Sequence, residues 1–167
     1  MAATEGVLVV LDAGPLIHLD ELDRLHLLEG FHTLLIPTIV WNEVCRHRPL
    51  LTLARVPGAE IADPRGLPLP STPLTGIGEL RAGEIAAIAL LQEAGGGLLL
   101  SDDDAARQTA EVLGFSVTGT LGLLLRGIQR GLISGEEVRR VLAELPARST
   151  LHVSRALLKR FAAVIPG

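Results

Sequence analysis

Short, mostly apolar runs recur along this chain, and each is followed by a stretch with apolar residues at helical spacing. A run of three to five such residues favours a strand that is buried on both faces. Strands that alternate with helices predict an α/β fold in which helices cover both faces of a central parallel sheet. The predicted strands are Val7–Leu11, Leu34–Ile36, Ala59–Ala62, Leu98–Leu100 and Phe115–Val117.

The helical stretches are separated by Gly and Pro residues, which end or start helices. A Pro-rich segment around Pro64–Pro73 has no helical pattern, and such a loop inside a domain is often a lid or an interaction surface. Helices are predicted over residues 16–28 (one or two short helices), 37–46, 50–55, 78–94, 105–113, 119–130, 136–145 and 154–164.

Length and charge limit the classes of protein that fit. The 167 residues suit a single domain, 1–167. The net charge of −4 excludes a basic field over the whole molecule, so contact with nucleic acid would depend on local Arg groups or metal ions. With Cys45 as the only cysteine, no internal disulfide can form. The N-terminus shows no secretory signal and no apolar stretch is long enough to span a membrane, so we expect a cytoplasmic protein.

Aspartates follow two of the predicted strands directly. Asp12 ends the first strand, and Asp102 and Asp103 come after Leu98–Leu100. Ligands bind at the carboxyl ends of strands in open α/β sheets, so these carboxylates should meet at one edge. Asp12 taken alone could equally be a helix cap, since Asp is a preferred capping residue. Three consecutive acids at Asp102–Asp104, however, are more than capping requires.

Two glutamates lie on helices that could pack beside that edge. Glu43 shares a helix face with Ile39 and His47, and Glu84 lies on the apolar side of the helix predicted over 78–94. A glutamate on an apolar face is costly unless it is paired, hydrogen-bonded or bound to a metal. The alternative for Glu43 is an ordinary solvated glutamate at the edge of the apolar stripe of its helix. The alternative for Glu84 is that its negative charge interacts favourably with the dipole at the N-terminus of its helix.

Carboxylates gathered in one place need a compensating cation. Two unit charges about 4 Å apart repel by about 4 kcal/mol at an intermediate effective dielectric constant. Oxygen-only ligands suit Mg²⁺ or Mn²⁺. Metal ions held in this way activate water for attack on a phosphodiester. The acids therefore indicate metal-dependent hydrolysis of a phosphodiester.

Four motifs surround these acids, in the order Leu-Asp12-Ala-Gly-Pro-Leu-Ile, Ile-Pro-Thr-Ile-Val-Trp-Asn-Glu43-Val, Ala-Gly-Glu84-Ile-Ala-Ala-Ile-Ala and Leu-Leu-Leu-Ser-Asp102-Asp103-Asp104-Ala-Ala-Arg. Together they resemble a PIN domain, and the chain is similar to the short prokaryotic PIN proteins of the VapC-like kind. The segment Val117–Gly122 also resembles one subgroup of these proteins. The resemblance covers Val7 to about Val164.

The resemblance implies a three-layer α/β/α fold and a ribonuclease that uses Mg²⁺ or Mn²⁺, commonly as a homodimer. It implies RNA as substrate, the role of toxin in a toxin–antitoxin pair, and a small antitoxin protein as partner.

The family pattern carries over onto four acids as catalytic residues. It leaves open whether Asp102 or Asp103 is the fourth, although the usual spacing after a Ser or Thr selects Asp103. Asp12, Glu84, Asp102 and Asp103 are the candidate metal ligands. Ser101 matches the family's hydroxyl near the acids, and Arg107 could hold a substrate phosphate or form a surface ion pair. The four catalytic positions are Asp12, Glu43, Glu84 and Asp103.

Other functions remain to be weighed against this one. A PIN scaffold that has lost activity could act as a nucleic-acid- or protein-binding regulator. Haloacid-dehalogenase-type phosphatases need a second Asp where Gly14 stands, and response-regulator receivers need a lysine after the last strand, whereas Lys159 is the only lysine and comes far too late.

Overall fold

The sheet of the computed structural model, which describes residues 7–66 and 78–166, has five strands that all run parallel. The order across the sheet is β3-β2-β1-β4-β5. Each strand is three residues long, and all five lie where the apolar runs predict them. Their bounds are β1 Val9–Leu11, β2 Leu34–Ile36, β3 Ala59–Ile61, β4 Leu98–Leu100 and β5 Ser116–Thr118.

Helices connect the strands. Two short 3₁₀ helices, Leu25–Leu28 and Leu53–Arg55, lie within the connections that follow the first and second α-helices. The α-helices of the described residues are α1 Ala13–Glu21, α2 Thr38–His47, α3 Ala82–Ala94, α4 Asp104–Val112, α5 Thr120–Gln129, α6 Gly135–Arg148 and α7 Arg155–Val164.

Helix boundaries differ from those predicted by three residues or more at four places. The stretch predicted from residue 16 begins as α1 at Ala13, and the one predicted from residue 50 is a 3₁₀ helix that begins at Leu53. Helix α3 begins at Ala82 and not at Gly78, because Arg81 takes the N-cap position and its backbone N–H is bound by Glu84. Helix α6 continues past Leu145 to Arg148, with Pro146 inside its last turn. The Pro-rich segment falls largely on residues 67–77, which lie outside the described residues.

The strands bury side chains on both faces of the sheet. Val9 and Leu11 belong to the larger apolar cluster, which also contains residues of α1, α5 and α6, whereas Val10 packs with residues of α3 and α4 on the opposite face. In β4, Leu100 belongs to the larger cluster and Leu99 to the cluster on the opposite face. This alternation follows from the two-residue period of a strand. The predicted three-layer α/β/α architecture is therefore confirmed.

The strand order reverses between β1 and β4. From β1 the chain moves outward to β2 and β3, then returns to place β4 on the other side of β1. Such a reversal leaves a crevice at the carboxyl ends of the two central strands. Asp12 follows β1 and Ser101–Asp103 follow β4, so both segments lie at this crevice.

No helix in residues 7–66 and 78–166 combines the length and apolar character needed to cross a membrane.

Candidate active site

Asp12 lies at the N-cap position of α1, but its side chain does not make the usual capping hydrogen bond. Its Oδ2 instead accepts a hydrogen bond of 2.9 Å from the hydroxyl of Ser101, across the crevice between β1 and β4. The side chain is almost fully buried. Helix capping therefore does not account for this carboxylate.

Burial is also the main reason why the pKa of Asp12 is raised, to about 6. Hydrogen bonds from the Ala13 N–H and the Ser101 hydroxyl oppose the shift, and the nearby carboxylates of Glu84 and Glu43 add to it. Ionisation of Asp12 is therefore costly, and other carboxylates lie nearby. A bound cation would offset both the cost of ionisation and the repulsion between these charges.

Ser101 links Asp12 to the acids that follow β4. While donating to Asp12, its Oγ accepts a hydrogen bond of 3.2 Å from the backbone N–H of Asp103. Asp103 caps α4 through Oδ1, which accepts from the Ala106 N–H at 2.9 Å. Its Oδ2 lies 4.0 Å from Nη2 of Arg81, and the side chain is 35 % exposed. Asp103 therefore keeps one oxygen open to the crevice.

Asp102 makes a different set of contacts. Its Oδ1 accepts from the backbone N–H of Thr120 at 2.7 Å, and its Oδ2 accepts from the Thr120 hydroxyl at 2.6 Å. Nδ1 of His18 lies 2.8 Å from the same Oδ2. Burial raises the pKa of Asp102, but the hydrogen bonds from His18 and Thr120 outweigh it, so the pKa lies below its ordinary value. Both oxygens are thus used to hold α1 and α5 to the end of β4.

Glu84 and Glu43 reach the crevice from α3 and α2, and both are near Arg81. Glu84 is 1 % exposed, and its Oε2 accepts from the Arg81 backbone N–H at 2.6 Å. Its Oε1 accepts from Nε and Nη2 of the same residue at 3.0 and 2.8 Å. Oε1 of Glu43 lies 4.0 Å from Nη1 of Arg81. One guanidinium therefore stands among Glu43, Glu84 and Asp103.

Gly83 allows α2 and α3 to approach each other at this point. A Cβ there would lie 3.2 Å from Cγ2 of Val40, and within 4.0 Å of Oε2 of Glu43 and Oδ1 of Asp12. The absence of a side chain at Gly83 thus helps to bring the acids of three elements together.

An open pocket of about 270 Å³ lies over Asp12, Glu43, Arg81 and Asp103. Glu84 and Ser101 are buried and are not part of its lining. Sequence reasoning missed several of its residues. Arg81 carries a weak signal, since a residue three positions before a glutamate at a helix start is a capping position. The contact between His18 and Asp102 has no signal in the sequence, because the two residues are 84 positions apart. The lining residues are Asp12, Ala13, Gly14, Ile17, His18, Glu43, Arg81, Asp102, Asp103, Leu151 and His152.

Arg107 is not among the residues that line the pocket. Its Nη1 donates to the backbone carbonyl of Ser101 at 3.2 Å. This contact ties the side chain to the backbone that follows β4, and both its pairing with a surface acid and its use for a substrate phosphate stay predictions.

The donor set fits a hard divalent cation by its chemistry. Four carboxylates and one hydroxyl offer oxygen ligands only, and a guanidinium already balances part of their charge. Within residues 7–66 and 78–166, however, no three His, Cys, Asp or Glu side chains stand close enough together to hold a metal ion as they are. Binding would require the carboxylates to close in around the cation.

The comparison with models of protein families agrees with this fold. The model of the family DUF3368, described as a PIN domain, matches residues 8–165. A search of curated proteins found no match. A solved structure of a PilT N-terminus domain protein from the hyperthermophilic archaeon Sulfolobus solfataricus P2 is 18 % identical, with a TM-score of 0.48, over 71 % of this chain and 91 % of that chain. Because the family model spans nearly the whole sequence, the chain belongs to the PIN domain family, whose fold is of the nuclease type.

Proposed function

We propose that this protein is a metal-dependent ribonuclease that uses Mg²⁺ or Mn²⁺ to hydrolyse RNA phosphodiesters. The observation that supports this most is the meeting of acids from β1, α2, α3 and β4 at the crevice where the strand order reverses. PIN domains are generally nucleases and typically use divalent metals. The choice of RNA rests on the resemblance of the motifs.

Asp12, Glu43, Glu84 and Asp103 would hold the cation in this proposal. A divalent cation bound there would activate water and neutralise negative charge on the phosphodiester. Ser101 orients Asp12 through its hydroxyl. Asp103 is favoured over Asp102 as the fourth acid, because the oxygens of Asp102 are already bound to His18 and Thr120.

The test is cleavage of a single-stranded RNA by the purified protein with Mn²⁺ or Mg²⁺. We expect Asp12→Asn to abolish cleavage, and chelation by EDTA to do the same. Asp23→Asn is a matched control, since it makes the same chemical change at an exposed residue that pairs with Arg148. Cleavage that survives both EDTA and Asp12→Asn would contradict the proposal.

The biological setting of the proposed ribonuclease is that of a cytoplasmic toxin with a small antitoxin partner, acting as a homodimer. These elements follow from the resemblance to VapC-like proteins. A small DNA-binding protein encoded next to this one, and co-purification of the two, would support the pairing.

A second candidate function is a binding regulator built on an inactive PIN scaffold. It is favoured by the contacts of Glu84, whose two oxygens are both bound to Arg81. This candidate predicts no rise in melting temperature with millimolar Mn²⁺ or Mg²⁺, because a ligand that binds the native state must stabilise it.

A further inference from the structure

Arg81 occupies the middle of the candidate metal site. Its Nε and Nη2 lie 3.0 and 2.8 Å from Oε1 of Glu84. Nη1 lies 4.0 Å from Oε1 of Glu43, and Nη2 lies 4.0 Å from Oδ2 of Asp103. The side chain is nevertheless 70 % exposed, so it reaches the acids from the mouth of the pocket. A positive charge in this position offsets the repulsion that the carboxylates would otherwise feel.

The contact with Glu84 is the strongest of these. Glu84 is 1 % exposed, and an ionised carboxylate so deeply buried needs a partner. Charge-assisted hydrogen bonds to a guanidinium are among the stronger contacts that a carboxylate can make. Both guanidinium hydrogen bonds fall on Oε1, so a divalent cation that binds through this oxygen must displace them.

We infer that Arg81 is a built-in competitor of the divalent cation. The guanidinium holds the carboxylates in a cation-free arrangement and has to leave before a metal ion is bound. This inference rests on the proposed metal-dependent function. It adds an autoinhibitory contact within the chain, which lowers the affinity of the site for its cation.

A purely structural role of Arg81 in starting α3 can be separated from this competition. The cap of the helix uses the backbone N–H of Arg81, which donates to Glu84 Oε2 at 2.6 Å. Substitution of the side chain leaves that N–H in place. Arg81→Gln therefore removes the charge while the capping contact can persist.

The experiment is titration calorimetry with Mn²⁺ alone on the wild type, Arg81→Gln and Arg140→Gln. We expect Arg81→Gln to bind Mn²⁺ about tenfold or more tightly than the wild type. In EDTA the melting temperature of Arg81→Gln should be lower, and its rise on addition of Mn²⁺ larger, than in the wild type. Arg140→Gln removes the same charge from a surface pair of α6 with Glu136, so its affinity should equal that of the wild type.

The outcomes separate the inference from the function on which it rests. If the wild type binds Mn²⁺ and Arg81→Gln binds no more tightly, competition by Arg81 is wrong and the metal site stands. If neither binds at about 10 mM Mn²⁺, the metal-dependent function fails and the inference fails with it. Binding by Arg81→Gln alone supports competition by Arg81 and contradicts a metal-dependent function of the wild type.

Arg81→Lys provides a second variant in case Arg81→Gln does not fold. A lysine keeps the charge but cannot place two nitrogens on Oε1 of Glu84 as the guanidinium does. We expect an affinity for Mn²⁺ above that of the wild type and below that of Arg81→Gln. An affinity equal to or lower than that of the wild type would overturn the inference.

Discussion

Asp12 is the residue at which the fold and the proposed chemistry conflict most directly. Its burial behind β1 raises its pKa from 3.8 to about 6, so at neutral pH the protein carries an ionised group that folding disfavours. A difference of this size between folded and unfolded states corresponds to about 3 kcal/mol, as an order of magnitude. A nuclease that needs this carboxylate therefore loses stability by retaining it.

The first prediction is that Asp12→Asn stabilises the metal-free protein at pH 8 by about 1–3 kcal/mol. The folded pKa lies above the unfolded one, so ionisation of Asp12 has no cost below pH 3.8 and its full cost above about pH 6. The gain of the variant should thus be present at pH 8 and nearly absent at pH 4. Urea unfolding of both proteins in EDTA at the two pH values measures it.

The wild type at pH 4 is the control for this prediction, because Asp12 is then protonated in the folded state. A variant that is less stable than the wild type at pH 8 would show that the Ser101 hydrogen bond to Asp12 outweighs the cost of its charge.

At the scale of elements, the turn from β5 into α5 holds the end of β4 in place. Thr120, the first residue of α5, donates both its N–H and its hydroxyl to Asp102. Gly119 makes this close approach possible, since a Cβ there would lie 2.5 Å from Oδ1 of Asp102 and 2.9 Å from Nη1 of Arg107. The segment Thr118–Thr120 can thus pack against Ser101–Asp103 because Gly119 has no side chain.

We predict that Gly119→Ala destabilises the protein by about 1–3 kcal/mol, since an added methyl group in a filled site forces its neighbours apart. The denaturation midpoint in urea measures the change. Gly14→Ala is the matched control, because its Cβ would meet the same Asp102 side chain at ordinary contact distances of 3.5 and 3.6 Å. Equal effects of the two substitutions would show that crowding of Asp102 is not the cause.

At the scale of the whole molecule, both apolar clusters depend on the same two central strands. Val9 and Leu11 of β1 face one cluster and Val10 faces the other. Strands of three residues have few hydrogen bonds of their own and depend on their neighbours. Loss of either layer of helices would therefore expose the strands that the other layer covers.

We predict that residues 1–167 unfold in a single cooperative transition, as expected for one domain. Trp41, on α2, is partly buried against the larger cluster, so its fluorescence reports that face of the sheet. Far-UV circular dichroism reports all the helices, α3 and α4 of the other face included. Coincident urea transitions by the two probes are expected, and two separated midpoints would contradict a single domain.

Much of the fold could be predicted from sequence because it depends on local patterns. A run such as Leu98–Leu100 between Gly residues and a helix has few alternatives to a buried strand. The meeting of Asp12 with Asp103 followed from the same reasoning, since carboxyl ends of parallel strands share an edge. The roles of Arg81, His18 and Thr120 did not follow, because each depends on a partner chosen by packing.

The sequence by itself determined which segments become strands and helices, and which edge of the sheet carries the acids. Those outcomes depend on periodicity and on neighbouring residues. Only the tertiary structure decided that Asp102 turns to His18 and Thr120, while Asp103 faces the crevice and Arg81 stands among the acids. Adjacent residues at the end of a strand point in different directions, and the helices packed beside them determine what each one meets.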